Sequence, residues 1–241
     1  MSSELIINSS RDKSRIGLLK DKKLVEFHQE SDETKFNVGD IYVGKVKKIN
    51  KSLNAAFIDI GFEKDAFLHY LDLGPQFLSL KSFVKNVRGK GKVSYDSSKK
   101  LDDINKFGKI NEVLTKGDEI LIQVVKEPIS TKGPRVTTEL SLAGRYLILV
   151  SFSETINVSK KITKREERMR LINLIKSIRP KNFGVIVRTV AENKSVSELD
   201  KDLQSLTSIW KEGVKKIKKA KVGEKIIGEE NKATSLLRDI L

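Results

Sequence analysis

The chain has 241 residues, with 47 basic and 32 acidic side chains and a formal charge of +15. It holds no cysteine and only two histidines, His28 and His69, which excludes a disulfide scaffold, a zinc ribbon, an iron–sulfur cluster, a thiol nucleophile and a histidine-rich metal centre. No apolar run approaches the roughly 18–20 residues of a membrane span, and the start at Met1–Glu4 lacks a signal-peptide pattern; a soluble, cytoplasmic protein is expected.

Fifteen surplus positive charges speak of partners and solubility, not of fold. RNA, DNA and anionic membrane faces are the candidate polyanions. Lysine outnumbers arginine 36 to 11, a bias that surface decoration would also produce, so the position of the charges has to decide.

In chain order, Leu5–Ile7, Arg15–Lys20 and Lys23–Phe27 read as short strands separated by turn composition at 8–10 and 20–22. A polar stretch, 29–35, follows. From Phe36 onward, short β-rich runs alternate with turn signals: Ile41–Ile49, Leu53–Ile60, Asp65–Leu68, Glu119–Val125 and Arg135–Leu142. Five strands at this spacing predict a small closed barrel. The stretch of about 74–115 interrupts it, and its glycine-bearing basic segment 85–92 and polar run 94–100 have the composition of an inserted loop. Arg88, Lys90 and Lys92 in that segment read either as polyanion contacts or as a solvated charge run.

After Gly144 the pattern becomes α/β. Arg145–Val150 is an apolar strand. Thr163 and Glu166 have capping-box spacing, opening a helix with Met169, Ile172, Ile175 and Ile178 on one face. Pro180 ends it, and Phe183–Thr189 reads as a buried strand. Ser195 and Glu198 repeat the capping signal before a long amphipathic helix carrying Val196, Leu199, Leu203, Leu206, Trp210, Val214 and Ile217. Its end, 215–221, is strongly basic, which also suits a helix C-terminus. Residues 234–241 read as the start of a further helix.

Three constellations could carry chemistry. Phe57 and Phe67, with Lys132 and nearby Lys45, Lys47 and Lys126, have the makings of a barrel surface that stacks bases and neutralises phosphates. Alternation alone is also compatible with both rings lying in the core, but Phe57 shares its parity with Asp59, opposite the apolar Ala56, Ile58 and Ile60. Arg188 and Thr189, at a strand end, could hold a phosphate monoester through charge-assisted bonds or be an ordinary salt-bridged terminus. Asp59, Glu63 and Asp65 are close enough in sequence to consider a metal site, yet two of them fall in a turn and read as solvated. Nothing matches a P-loop or a nucleophile elbow, so no catalytic or metal-ligating residue is assigned.

Asp40–Val46, Asn54–Gly61 and Ala66–Leu68, followed by Lys132-Gly133, Thr137-Thr138, Ser141–Leu147 and Val185–Thr189, resemble the ribonuclease E/G family. The resemblance runs from about residue 4 to the last residue and is weakest over 74–115. It implies an α+β protein: an OB-type, S1-like barrel (36–138) inserted in an RNase H-like framework whose first strands occupy 1–35. A 5′-sensor-like α/β subdomain (139–233) follows, and 234–241 would be the return to the framework. The family consists of single-strand-specific endoribonucleases acting in ribosomal RNA processing and messenger RNA decay. On this mapping Phe57, Phe67 and Lys132 match RNA-contacting residues. Arg188 and Thr189 match the grip on a 5′-monophosphate, and Gly144 and Ile148 line the same pocket.

The resemblance also implies what lies elsewhere. The family's magnesium-binding carboxylates, a second arginine of the phosphate pocket and the Cys-x-x-Cys zinc link between protomers all match positions beyond residue 241. The expectation is therefore an RNA-binding portion, inactive by itself, with no cofactor or zinc-linked oligomer of its own. Single-stranded RNA, and a complementing catalytic polypeptide, are the expected partners. The competing expectations are a non-catalytic RNA-binding or ribosome-associated protein, and a truncated remnant.

Overall fold

The computed structural model describes residues 2–9, 13–31, 36–90, 94–96 and 98–228. Two compact units divide the chain. One comprises residues 1–37 with 229–241, the other residues 38–228. In the first, β1 (Ser3–Ser9), β2 (Lys13–Lys20) and β3 (Lys23–Ser31) form an antiparallel sheet in that order. The tight turn between β2 and β3 is made by Asp21 and Lys22, both at positive φ, which suits a two-residue hairpin.

The second unit is built around a closed ring of five strands. β4 (Ile41–Asn50), β5 (Ala55–Asp59), β6 (Ala66–His69), β7 (Glu119–Lys126) and β8 (Arg135–Thr137) pair in the order β4-β5-β6-β8-β7, and β7 returns to β4. Only the β6–β8 contact is parallel. Closure leaves the barrel without a free edge. Its interior pairs Val46 with Ile58, Ala56 with Leu68 and Val124 with Val136, all buried.

Strands β4 and β7 are buried on both faces. Ile41, Val43 and Leu121 turn away from the barrel interior into a second core, which is why these strands read as near-continuous apolar runs instead of alternating ones.

The stretch read from sequence as an inserted loop contains a helix, α1 (Phe77–Lys90), and a single turn, α2 (Ile110–Val113). Phe77, Leu80, Phe83, Val84 and Val87 form the buried stripe of α1. Arg88 donates to the Ile217 and Ala220 carbonyls at 3.1 and 2.9 Å and pairs with Glu119 at 2.6 Å. It is thus a structural anchor and not part of a solvated run. Lys92 lies outside the described residues, as does the helix start expected over 234–241.

The second core is an α/β layer. β9 (Ser141–Ala143), β10 (Leu147–Ser151), β11 (Ile156–Val158) and β12 (Phe183–Val187) form a sheet in the order β11-β12-β10-β9. α3 (Arg165–Ile178) and α4 (Val196–Ile217) supply Leu171, Ile175, Leu203 and Trp210 to the core that Leu149 and Val185 share. The expected cap at Thr163 is displaced: Lys164 is the N-cap of α3 and makes no side-chain cap bond. Met169 is half exposed, because Leu171 and Leu174 take the inward positions. The capping box of α4, Ser195 with Glu198, is formed.

After α4 the chain returns to the barrel. β13 (Lys225–Ile227) pairs antiparallel with β4, and Lys225 Nζ reaches the fully buried Asp40 at 3.0 Å.

Candidate nucleic-acid interface

Strand parity places the barrel's aromatic pair. Ile58 and Leu68 point inward, so Phe57 and Phe67, one residue earlier on each strand, point outward and are directly opposite in the β5–β6 register. Their ring centroids are 5.9 Å apart at 70°, an edge-to-face contact. Both are only partly buried, on the floor of an open groove of about 810 Å³.

Basic groups rim that groove. Lys126 and Lys132 are both exposed there. Lys132 is set by a two-bond bridge with Ile129, at 2.9 and 3.2 Å. The neighbouring Gly133 fits where no side chain could: a Cβ would sit 2.1 Å from the Asp65 carbonyl oxygen. This close approach presses the Ile129–Lys132 bridge against the barrel. Lys64, which sequence reasoning passed over, donates to the Ser130 carbonyl from the same groove. Arg135 closes one end in a bidentate pair with Asp72, at 2.9 and 3.0 Å. Two acidic residues, Asp65 and Glu127, also line the groove, so the rim is basic by two charges.

Lys45 does not join this group. It is exposed on β4 with Asp59 and Glu119 as its direct cross-strand neighbours, and it lies outside the groove. Lys47 pairs with Asp65 at 2.9 Å, a bond that raises the ammonium pKa. Asp59 accepts the Gly61 N–H at 2.9 Å. Among the described residues, no three His, Asp or Glu side chains gather as metal ligands.

The second candidate centres on the loop 144–147. Arg188 donates from Nη1 to the carbonyls of Gly144 and Arg145, at 2.8 and 3.2 Å, and its backbone N–H reaches Tyr146 O at 2.8 Å. From the other side, the Asp202 carboxylate on α4 accepts the backbone N–H groups of Arg145, Tyr146 and Leu147, at 3.1, 2.9 and 2.9 Å. A Cβ on Gly144 would lie 2.6 Å from Asp202 Oδ2, so glycine is what lets the loop meet its clamp. Thr189 shares a 2.8 Å hydroxyl contact with Ser159.

Ile148 lies opposite Ile186 and Ala143, on the sheet face turned away from α3 and α4. Ile186 and Arg188 share that parity. The sheet thus brings Arg188, Gly144 and Ile148 around one loop, with Thr189 beside them.

Residues 141–241 match the Ribonuclease E/G family. Over 238 residues the chain is 33% identical to Ribonuclease G of Haemophilus influenzae, covering 99% of this chain and 45% of that protein. Ribonuclease G of Escherichia coli K12 is 30% identical over 239 residues, with the same coverage. Ribonuclease E of Synechocystis is 37% identical over 174 residues, 72% of this chain and 22% of that protein. The chain resembles the amino-terminal half of the ribonuclease E/G family. It spans somewhat under half the length of the ribonuclease G proteins it matches.

The α+β fold with an OB-type barrel accords with that family. No helix among the described residues is long and apolar enough to cross a membrane. Of what sequence reasoning missed near the groove, Lys64 sits in a bend, where neither helical nor strand periodicity flags a side chain, and Arg135 opens β8 with its partner Asp72 distant in sequence. Asp202 was missed for a different reason. It lies within an amphipathic helix among polar residues that sequence alone reads as solvated, and only the fold shows it receiving three N–H groups.

Proposed function

We propose that this chain is the RNA-gripping portion of a ribonuclease E/G-type, single-strand-specific endoribonuclease of ribosomal RNA processing and messenger RNA decay in the cytoplasm. The barrel groove holds single-stranded RNA. Phe57 and Phe67 stack unpaired bases, while Lys126 and Lys132 neutralise phosphates. Arg188 and Thr189 take a 5′-monophosphate, with Gly144 and Ile148 against the first nucleotide. The observation that carries the reading is the opposed pair Phe57 and Phe67, turned out of a closed barrel into a groove that exposed Lys126 and Lys132 also line.

The proposal is tested by fluorescence anisotropy with short oligoribonucleotides bearing either a 5′-monophosphate or a 5′-hydroxyl. Phe57→Ala and Phe67→Ala should each weaken binding by about 1–3 kcal/mol without loss of fold. Unchanged affinity removes the barrel reading. Arg188→Ala should abolish a preference for the phosphorylated end.

A second reading, a non-catalytic RNA-binding protein indifferent to the 5′ end, is favoured by one observation. Arg188 Nη1 already spends both its donors on the carbonyls of Gly144 and Arg145, the task of a structural clamp. Equal wild-type affinity for both RNA ends selects this reading.

A further inference from the structure

The end of α4 and the turn that follows it carry more positive charge than the fold uses. Lys211, Lys215, Lys216, Lys218, Lys219 and Lys221 are all exposed, and Glu212 is the only acidic residue between 211 and 221. Among the described residues, none of the six ammonium groups has a carboxylate partner. Basic residues at a helix C-terminus complement its dipole, but that effect fades beyond the last turn, and Lys211 lies further back. The terminal carbonyls are moreover already served: Arg88 donates to Ile217 O and Ala220 O. Like charges four apart weaken a helix, so the fold alone gives no reason for the cluster.

Lys211, Lys215 and Lys219 follow one another at four-residue steps, and Lys218 keeps helical dihedrals at the C-cap. At about 1.5 Å rise per residue Lys211 and Lys215 stand ~6 Å apart on one side of the helix, and Lys219 follows in the turn just past its end. This is the scale on which phosphates repeat along a nucleic-acid strand. The ridge also has a concavity at its foot, a cavity of about 420 Å³ lined by Tyr95, Phe183, Thr207 and Trp210 and rimmed by Lys211 and Lys215. A helix that lies on a membrane sets large apolar side chains beside its basic ones. Here Val214, Ile217 and Ala220 turn toward the protein instead.

We infer that the Lys211–Lys215–Lys219 ridge at the end of α4 is a second contact for the RNA backbone, sharing no residue with the barrel groove or with the loop that Arg188 holds. The choice of RNA as ligand rests on the function proposed above. Short RNAs fill the barrel alone, whereas longer ones also engage the ridge.

The test compares the full chain with the triple variant Lys211→Gln, Lys215→Gln, Lys219→Gln. A control triple, Lys160→Gln, Lys161→Gln, Lys176→Gln, removes the same charge from other exposed positions. Binding is measured against salt for oligoribonucleotides of about 8 nucleotides, one OB-fold footprint, and of about 30. The ridge variant should lower the salt slope for the longer RNA by about 2, from three lost phosphate contacts of ~0.7 each, and should weaken its binding at least tenfold in dilute salt. It should leave the short RNA and the control triple unaffected.

Equal loss for both lengths, or an equal effect of the control triple, overturns the inference. So does unchanged binding of the longer RNA. If the ridge variant instead loses only its hold on phosphatidylserine vesicles, the surface is a membrane contact. Phe57→Ala separates the two proposals: failure to weaken the short RNA removes the barrel reading, while a slope change at the ridge stands on its own.

Discussion

Gln123 and Ser141 exchange two hydrogen bonds: Ser141 N–H donates to Gln123 Oε1 at 2.9 Å, and Gln123 Nε2 donates to Ser141 O at 2.8 Å. A side-chain amide thus stands in for a strand, tying barrel strand β7 to β9 of the neighbouring sheet. Gln123 is buried, and its Nε2 also serves the Gly39 carbonyl at 2.8 Å. Gln123→Leu keeps the bulk and strips the partners from one backbone N–H and two carbonyls. We expect a total loss of about 1–3 kcal/mol, read as a lower urea midpoint, since the stranded groups on Gly39 and Ser141 are only partly buried.

Gly144 and Asp202 make a coupled pair. Gly144→Ala should expel the carboxylate from its three N–H donors, a loss of at least about 2 kcal/mol given that bonds to charged groups are the stronger ones. In the Asp202→Ala background the three atoms that crowd the new Cβ are gone. A double-mutant cycle should therefore show the two changes far from additive. Additivity within about 0.5 kcal/mol would show that the contact carries no weight.

Lys132 stands at the groove rim on a bridge fixed by Gly133. Lys132→Ala should reduce RNA affinity irrespective of sequence and flatten the dependence of log affinity on log salt by about 0.7–0.9. A salt titration by filter binding reads this directly. Lys45→Ala, outside the groove and flanked by two carboxylates, should change the slope far less.

Acid should loosen the junction between α3 and α4. Arg170 foremost, opposed by burial and helped by the Asn193 N–H, holds the Glu167 carboxyl down at about 2 from an ordinary 4.5. The Ser195 N–H and then its hydroxyl hold Glu198 down to about 2 as well. Carboxyls depressed in the folded state stabilise it fully above their ordinary pKa, and the contribution disappears as pH falls from about 4.5 toward 2. The melting-temperature gap between wild type and Glu167→Gln should be largest near neutral pH and close across that window.

Much of this architecture was legible in the residues. The five barrel strands follow from short β-rich runs and turn composition, although the run Arg135–Leu142 divides between β8 of the barrel and β9 of the second sheet. Ser195 and Glu198 announce α4, because a capping box is a local device that needs no tertiary partner. The outward turn of Phe57 was visible in its parity with Asp59. Helix α1 was not: Phe77, Leu80, Phe83, Val84 and Val87 keep helical spacing, but the basic run 85–92 with its glycines has the composition of a loop. Only the second core, with Phe83 against Tyr95 and Phe152, shows why the segment is helical. The same blindness hid Asp202 and Gln123, whose partners are distant in sequence.

The union of Lys225 with Asp40 has a temporal meaning. On the ribosome the barrel's own strands are all made by residue 137, yet β13 and the cation facing that buried carboxylate emerge some ninety residues later, after the whole α/β layer. Until then a nascent barrel keeps the start of β4 unclasped along one side. The seal on the earliest-made sheet of this unit is therefore set only after the whole α/β layer has been synthesised.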